Sequence, residues 1–224
     1  MKKILSAALG LIGISTSAAP DQKTQSLDPK SILFSVPTIS NDLAPVEEFD
    51  GDPRGADVAF HEDEWRQIEF FAQSQLSAVQ RMMKEYKAFE AEHRTEHGWR
   101  NVYVRKIDQA PPVLSGPQAL HELEVVLDAK AGPAPVLFSS GSVAGQVVDG
   151  FSIPLDGSVL LYGYANHSGI PILGALLGEN PDHQALVRAI TKLNAQKQLV
   201  LADWCQQLIL ASVARSGQLE TWCP

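Results

Sequence analysis

Apolar residues recur at three- and four-residue steps in three stretches of the chain, which predicts three helices. The first runs from a cap at Ser74 to about Arg94, with Leu76, Val79, Met83, Tyr86 and Phe89 on its inner face and Gly98 beyond its end. Pro117 opens the second, which turns Leu120, Leu123, Val126 and Leu127 inward. Asn180 and Pro181 start the third as cap and first helical residue, burying Ala185, Leu186, Ala189, Ile190 and Leu193.

Between these helices the pattern changes to period two or to short apolar runs bounded by turn residues. Gln67 to Phe71 reads as extended. In Trp99 to Ile107 the alternation sets Val102, Val104 and Ile107 inward against Tyr103, Arg105 and Lys106. Further strands are expected near Pro135 to Phe138, Gln146 to Ile153 and Val159 to Tyr164, divided by Gly150 and by the turn Asp156-Gly157. Gln198 to Ala214 is one long bent strand or two, and Leu219 to Trp222 returns after a turn at Arg215 to Gln218. Tight turns between neighbouring strands argue for an α+β fold, a single domain with a largely antiparallel sheet and about three helices packed on it.

The N-terminus departs from this pattern. Lys2 and Lys3 precede an apolar run from Ile4 to Ile14, and small residues follow to Ala19, the layout of a signal peptide over 1–18 with cleavage after Ala18. The run is shorter than the roughly 20 residues needed to span a bilayer, so no stable membrane insertion is expected. Residues 19–57 are rich in Pro, Ser and Asp without sustained periodicity and read as a flexible arm, to which Ile32 to Val36 adds a short edge strand. The single α+β domain then occupies 58–224.

Export changes the reading of charge and cysteine. The chain has 18 basic and 26 acidic residues, and losing Lys2 and Lys3 leaves 16 against 26. That balance disfavours nucleic acid and anionic membranes and favours a basic protein or a cationic ligand as partner. Cys205 and Cys223 are the two cysteines, and an even count in an oxidising compartment suggests a disulfide. A regular two-residue turn at Ser216-Gly217 would set Cys223 opposite Leu210, five positions from Cys205, or about 16 Å along the strand. A bridge needs Cα atoms within about 7 Å, so it would require a bulged or slipped pairing.

One stretch carries a recognisable chemical pattern. His93, Glu96 and His97 spell H-x-x-E-H, in which two histidines one helical turn apart share a zinc ion and the glutamate acts as base. The same residues also read as an ordinary helix end, where histidine meets the open carbonyls. Ser139 to Gly145, His167-Ser168 and the acidic run His61 to Glu64 are read as loops or a solvated face rather than as nucleophile or calcium sites. Trp65, Trp99, Trp204 and Trp222 lie at strand edges, with Arg66, Arg100 and Asp203 beside three of them. Tryptophan with arginine is the composition of binding hot spots, and it is also that of core residues whose indoles meet a carbonyl at the margin.

These observations favour an exported periplasmic binding or inhibitor protein, with Glu62, Asp63, Glu64, Trp65, Trp99 and Arg100 as contact residues and no cofactor. Its most specific form is an immunity protein that blocks a basic toxin or enzyme acting on the envelope. A secreted zinc hydrolase using His93, His97 and Glu96, and a structural accessory of an envelope or secretion complex, are the alternatives.

Overall fold

The computed structural model of the protein describes residues 33–52, 55–106, 111–139, 142–155, 158–213 and 219–224. The proposed signal peptide, the first part of the arm, Ile107 and the turns at Asp156-Gly157 and Arg215 to Gln218 lie outside them.

Two short strands open the described chain, β1 (Thr38–Ser40) and β2 (Val46–Glu47). β3 (Ala59–His61) leads through a 3-10 turn at Glu62–Glu64 into β4 (Ile68–Ala72). A second such turn, Gln73–Gln75, starts α1 (Leu76–His93). The cap is not Ser74. Gln75 stands at the cap position of α1, and its Oε1 accepts from the Ala72 N–H at 3.3 Å, the donor at the start of the 3-10 turn.

After α1 come a small hairpin, β5 (Arg94–Thr95) and β6 (Gly98–Trp99), then β7 (Tyr103–Arg105), β8 (Leu114–Ser115) and α2 (Ala119–Leu127). Five strands follow: β9 (Val136–Ser139), β10 (Ser142–Val147), β11 (Gly150–Pro154), β12 (Val159–Asn166) and β13 (Gly169–Leu177). α3 (His183–Lys197), β14 (Leu199–Asp203), β15 (Leu208–Val213) and β16 (Leu219–Trp222) complete the order. The cap of α3 is Asp182 rather than Asn180, its Oδ1 accepting from the Gln184 N–H at 2.9 Å. A carboxylate there also meets the positive end of the helix dipole.

The main sheet is antiparallel, ordered β11-β12-β13-β4-β14-β15-β16, with β8 beside β13. A second sheet is ordered β2-β10-β9-β3, and β1 pairs in parallel with β7. The chain is therefore an α+β domain with a large, mostly antiparallel sheet and three helices among the described residues.

Alternation along the central strands separates the layers. Phe70, Leu199 and Leu201 face the side covered by α2 and α3, where Leu123, Leu127, Ile190 and Leu193 complete the largest core. Phe71, Val200 and Ala202 face the other side, where Val79, Met83 and Tyr86 of α1 meet Trp204 and Ile209. Further along that second side the small sheet covers β12 and β13, burying Phe60, Trp65, Leu137, Val147, Tyr162 and Ile172 together. Each large apolar side chain buried in this way is worth about 1.5–3 kcal/mol. The apolar faces read from the helices are the ones buried, apart from the partly exposed Leu76, Phe89 and Leu120.

Three sequence expectations are corrected. β7 has the opposite phase: Val104 is 42% exposed and Arg105 is fully buried. From Leu33 onward the expected arm is woven into the fold, with Thr38 and Ser40 buried against β7 and Val46-Glu47 paired to β10. Its Phe34 exchanges backbone hydrogen bonds with Trp99 at 2.8 and 3.1 Å. Finally, β13, not anticipated at all, forms with β12 a long hairpin in the middle of the main sheet. His167 and Ser168 lie in its turn, where Asn166 Oδ1 accepts from both the N–H and the hydroxyl of Ser168.

Candidate functional site

A row of register partners crosses the α1 side of the main sheet: Tyr162, Gly174, Glu69, Ala202, Ile209 and Trp222. Glu69 stands in the middle of it, 1% exposed, where the α1 core and the small-sheet core meet. Arg66 Nε donates to Glu69 Oε2 at 2.6 Å and the Trp204 indole donates to Oε1 at 2.8 Å. Arg105 lies with its Nε 3.9 Å from Oε1 and its guanidinium 4.8 Å from the centre of the Trp204 ring.

The two arginines tie distant segments together. Arg105 donates to Thr38 Oγ1 at 3.1 Å and to the Arg66 carbonyl at 2.8 Å, and Arg66 reaches Asp42 at 3.2 Å. Arg66 adopts a left-handed backbone, φ 62°, held by its N–H donating to Tyr162 Oη at 2.8 Å. Burial lowers the Arg105 pKa, and the charge of Arg66 adds to that while Glu69 opposes it. For Arg66 burial acts the same way, but Glu69 and Asp42 outweigh it and the pKa rises. Glu69 and the two guanidinium groups thus meet in a space closed to water, with Asp42 reaching Arg66 from the exposed surface, and their partners are the chain itself. This is a clasp between β1, β7 and the sheet, invisible to a reading that turned Arg105 toward solvent.

The H-x-x-E-H residues do not share a helix face. α1 ends at His93, Arg94 and Thr95 turn into β5, and His97 falls in the following turn. His93 stacks on Phe89 with ring centres 4.0 Å apart, and its Nδ1 lies 2.9 Å from the Phe89 carbonyl. Glu96 and His97 are exposed. Among the described residues no three of His, Cys, Asp and Glu are gathered to hold a metal ion.

Of the expected contact residues, Trp65 belongs to the core, 3% exposed and 5.0 Å from the Tyr162 ring, so it is not a surface contact. Trp204 is fully buried, Trp99 and Trp222 are half-buried, and Arg100 is exposed. Cys205 and Cys223 are exposed and unbridged. The register differs from the one expected, with Trp222 opposite Ile209 and a bulge between Leu210 and Ser212. Cys223 therefore continues toward Leu208 instead of facing Leu210. A cleft of about 400 Å³ between α2, β11 and α3 includes Arg188 and Lys192 in its walls. Lys192 caps the Leu127 carbonyl at 3.2 Å and Arg188 meets Asp182 at 3.5 Å, so both cations are already engaged.

The acidic contact residues are placed differently. Glu62, Asp63 and Glu64 form the 3-10 turn after β3, with the Asp63 N–H donating to His61 Nδ1 at 3.2 Å. Glu64 is exposed and the other two half-buried. Burial raises the pKa of Glu62, helped by Asp63 and opposed by His61; burial also raises that of Glu64, against His61.

These three belong to a larger feature. Residues 33–65 hold nine acidic side chains against one basic, Arg54, and so carry the whole net charge of −8; the other residues balance at 17 of each sign. Asp42, Glu47, Glu48, Asp50, Asp52, Asp57 and Glu64 are all exposed. They flank β2 and β3, the two edges of the small sheet, three strand spacings or about 14 Å apart. Leu43 (63% exposed) and Val46 (40%) stand among them. A count taken segment by segment would have found this lobe in the sequence, where a count over the whole chain spread it out. Neither a family model, nor a characterised protein, nor a solved structure matches the chain.

Proposed function

We propose that the chain is an exported binding protein of the inhibitor type, which docks a basic protein through the acidic lobe of its small sheet. In its most specific form it is an immunity protein that neutralises a toxin acting on the bacterial envelope. The observation that carries the reading is the concentration of the net charge in residues 33–65, around exposed Leu43 and Val46. A remainder close to neutral, 15 basic against 17 acidic once Lys2 and Lys3 are removed, with one strongly acidic face, orients an approaching cationic protein, raising the encounter rate and rejecting acidic competitors. Apolar side chains among the charges then supply the contact that slows dissociation. The leader-like sequence over 1–18 supports a periplasmic or secreted location.

The test is site-specific photo-crosslinking in the periplasm of the source cells, with the probe at Leu43 and, as control, at Val125, which is 66% exposed and outside the acidic lobe. The expected result is a covalent adduct from position 43 to one protein with pI above about 9, absent from position 125 and toxic to cells lacking this chain. Equal labelling from both positions, or an acidic adduct, overturns the reading.

A further inference from the structure

The pairing around β2 defines which of its backbone groups face away from the small sheet. Val46 stands opposite Val147, and the Val147 N–H donates to the Pro135 carbonyl at 2.9 Å, on the β9 side. That makes Val46 and Val147 a non-hydrogen-bonded pair of the antiparallel ladder, whose members direct N–H and C=O away from each other. On both sides of Val46 the carbonyls point inward. The Val148 N–H donates to Pro45 O at 2.7 Å, and Glu47 O lies so close over Gly145 that a Cβ there would stand 2.2 Å from it. Gly145, at φ 133° beside a bulge, leaves room for that carbonyl. The N–H and C=O of Val46 consequently point off the free edge of the sheet, where no strand among the described residues pairs with them.

Open edges are normally blunted, and this one is blunted selectively. Pro45 and the shortness of β2 limit pairing, while Glu47 and Glu48 surround it with negative charge. A second copy, bringing the same lobe, meets like charge. A basic strand meets opposite charge across the pair, with Leu43 and Val46 for its apolar positions. Resting on the acidic-lobe reading above, we infer that the basic partner binds by adding an extended segment, with alternating basic and apolar residues, to the free edge of β2. In this mode backbone hydrogen bonds contribute affinity and side-chain alternation contributes specificity.

The experiment uses the full mature chain and three synthetic peptides: an alternating Lys-Val nonapeptide, the same peptide N-methylated at every peptide bond so that it keeps its charge but has no backbone N–H to pair on either edge, and an alternating Glu-Val nonapeptide. Hydrogen exchange of the Val46 amide is followed by NMR during titration. The expected result is that the Lys-Val peptide slows this exchange at least about tenfold, while neither the N-methylated nor the acidic peptide does so. If the Lys-Val peptide perturbs the carboxylates of residues 42–64 to saturation and Val46 exchange is unchanged, strand addition fails and acidic docking stands. If it perturbs nothing in that segment, both fail. A chain that sediments as a dimer with Val46 already protected overturns the choice of a basic partner in favour of a second copy.

Discussion

Replacing Glu69 with glutamine removes one charge and almost no volume, so it isolates the electrostatic part of the clasp. Arg66 keeps Asp42 at 3.2 Å, on a half-exposed side chain, whereas fully buried Arg105 loses the carboxylate 3.9 Å from its Nε. Leaving a buried charge without its partner costs about 3–5 kcal/mol. Glutamine also presents an N–H₂ to one of the two donors that Glu69 now accepts, Arg66 Nε or the Trp204 indole, so one of those hydrogen bonds is lost as well. Against a total stability of about 5–15 kcal/mol this is a large fraction. With a urea dependence near 2 kcal/mol per molar, a loss of about 4 kcal/mol lowers the unfolding midpoint by about 2 M. The assay is urea titration followed by tryptophan fluorescence, with Glu69→Gln, Arg105→Met and the pair. The double variant no longer holds an unpaired cation at position 105 and is expected to recover more than half of the single-variant loss. A midpoint shift below about 0.5 M for Glu69→Gln, or strictly additive losses in the pair, refutes the reasoning.

Three further outcomes follow from the same contacts. Gly174→Ala places a Cβ 2.5 Å from the Tyr162 ring, and overpacking of this kind costs about 1–3 kcal/mol; calorimetry is expected to show a melting temperature lower by about 2–4 °C for each of those kcal/mol. Because burial raises the pKa of Glu62 and of Glu64, their protonated forms favour the folded state. That contribution is complete below the ordinary value of 4.5 and is lost as pH rises through the raised values. Parallel urea titrations from pH 4 to 7 should therefore show the parent losing stability relative to Glu62→Gln with Glu64→Gln as pH rises, and a relative gain contradicts the sign. His93→Ala combined with His97→Ala should leave partner binding unchanged and cost about 1 kcal/mol or less, since His97 is exposed and His93 only stacks on Phe89 at the helix end. Loss of function with an unchanged melting curve restores a chemical role for the pair.

The sequence disclosed elements whose local preferences agree with their tertiary setting. Val79, Met83 and Tyr86, or Ala185, Leu186, Ala189, Ile190 and Leu193, repeat at helical spacing because one face of each helix is buried and the other is wet. The β7 phase failed for the opposite reason. In three residues, alternation alone gives two equivalent choices, and apolar Val104 was assigned the interior that Arg105 occupies by pairing with a carboxylate 36 positions earlier. β13 was hidden by Pro171, Gly174 and Gly178, residues that discourage a strand assignment. Gly174 in fact serves to admit the Tyr162 ring. The acidic run Glu62, Asp63 and Glu64 was legible, as the three are consecutive. That they share a lobe with Asp42, Glu47 and Glu48 depends on β2 and β3 being opposite edges of one small sheet, which no local pattern encodes.

If the acidic lobe governs encounter with the partner, stopped-flow association with the protein captured at Leu43 measures that most directly. Asp50→Asn, Asp52→Asn, Glu62→Gln, Asp63→Asn and Glu64→Gln together remove five charges from the lobe, and exposed charges contribute only about 0–1 kcal/mol each to the fold. Screening shortens the reach of the field from about 30 Å at 0.01 M salt to about 10 Å at 0.1 M. For the parent chain the association rate is expected to fall at least about tenfold over that range, with a smaller change in dissociation. For the five-site variant it should start lower and depend weakly on salt, with a melting temperature that is not lowered, since burial disfavours the ionised forms of Glu62 and Glu64. An association rate indifferent both to salt and to the five changes contradicts the account.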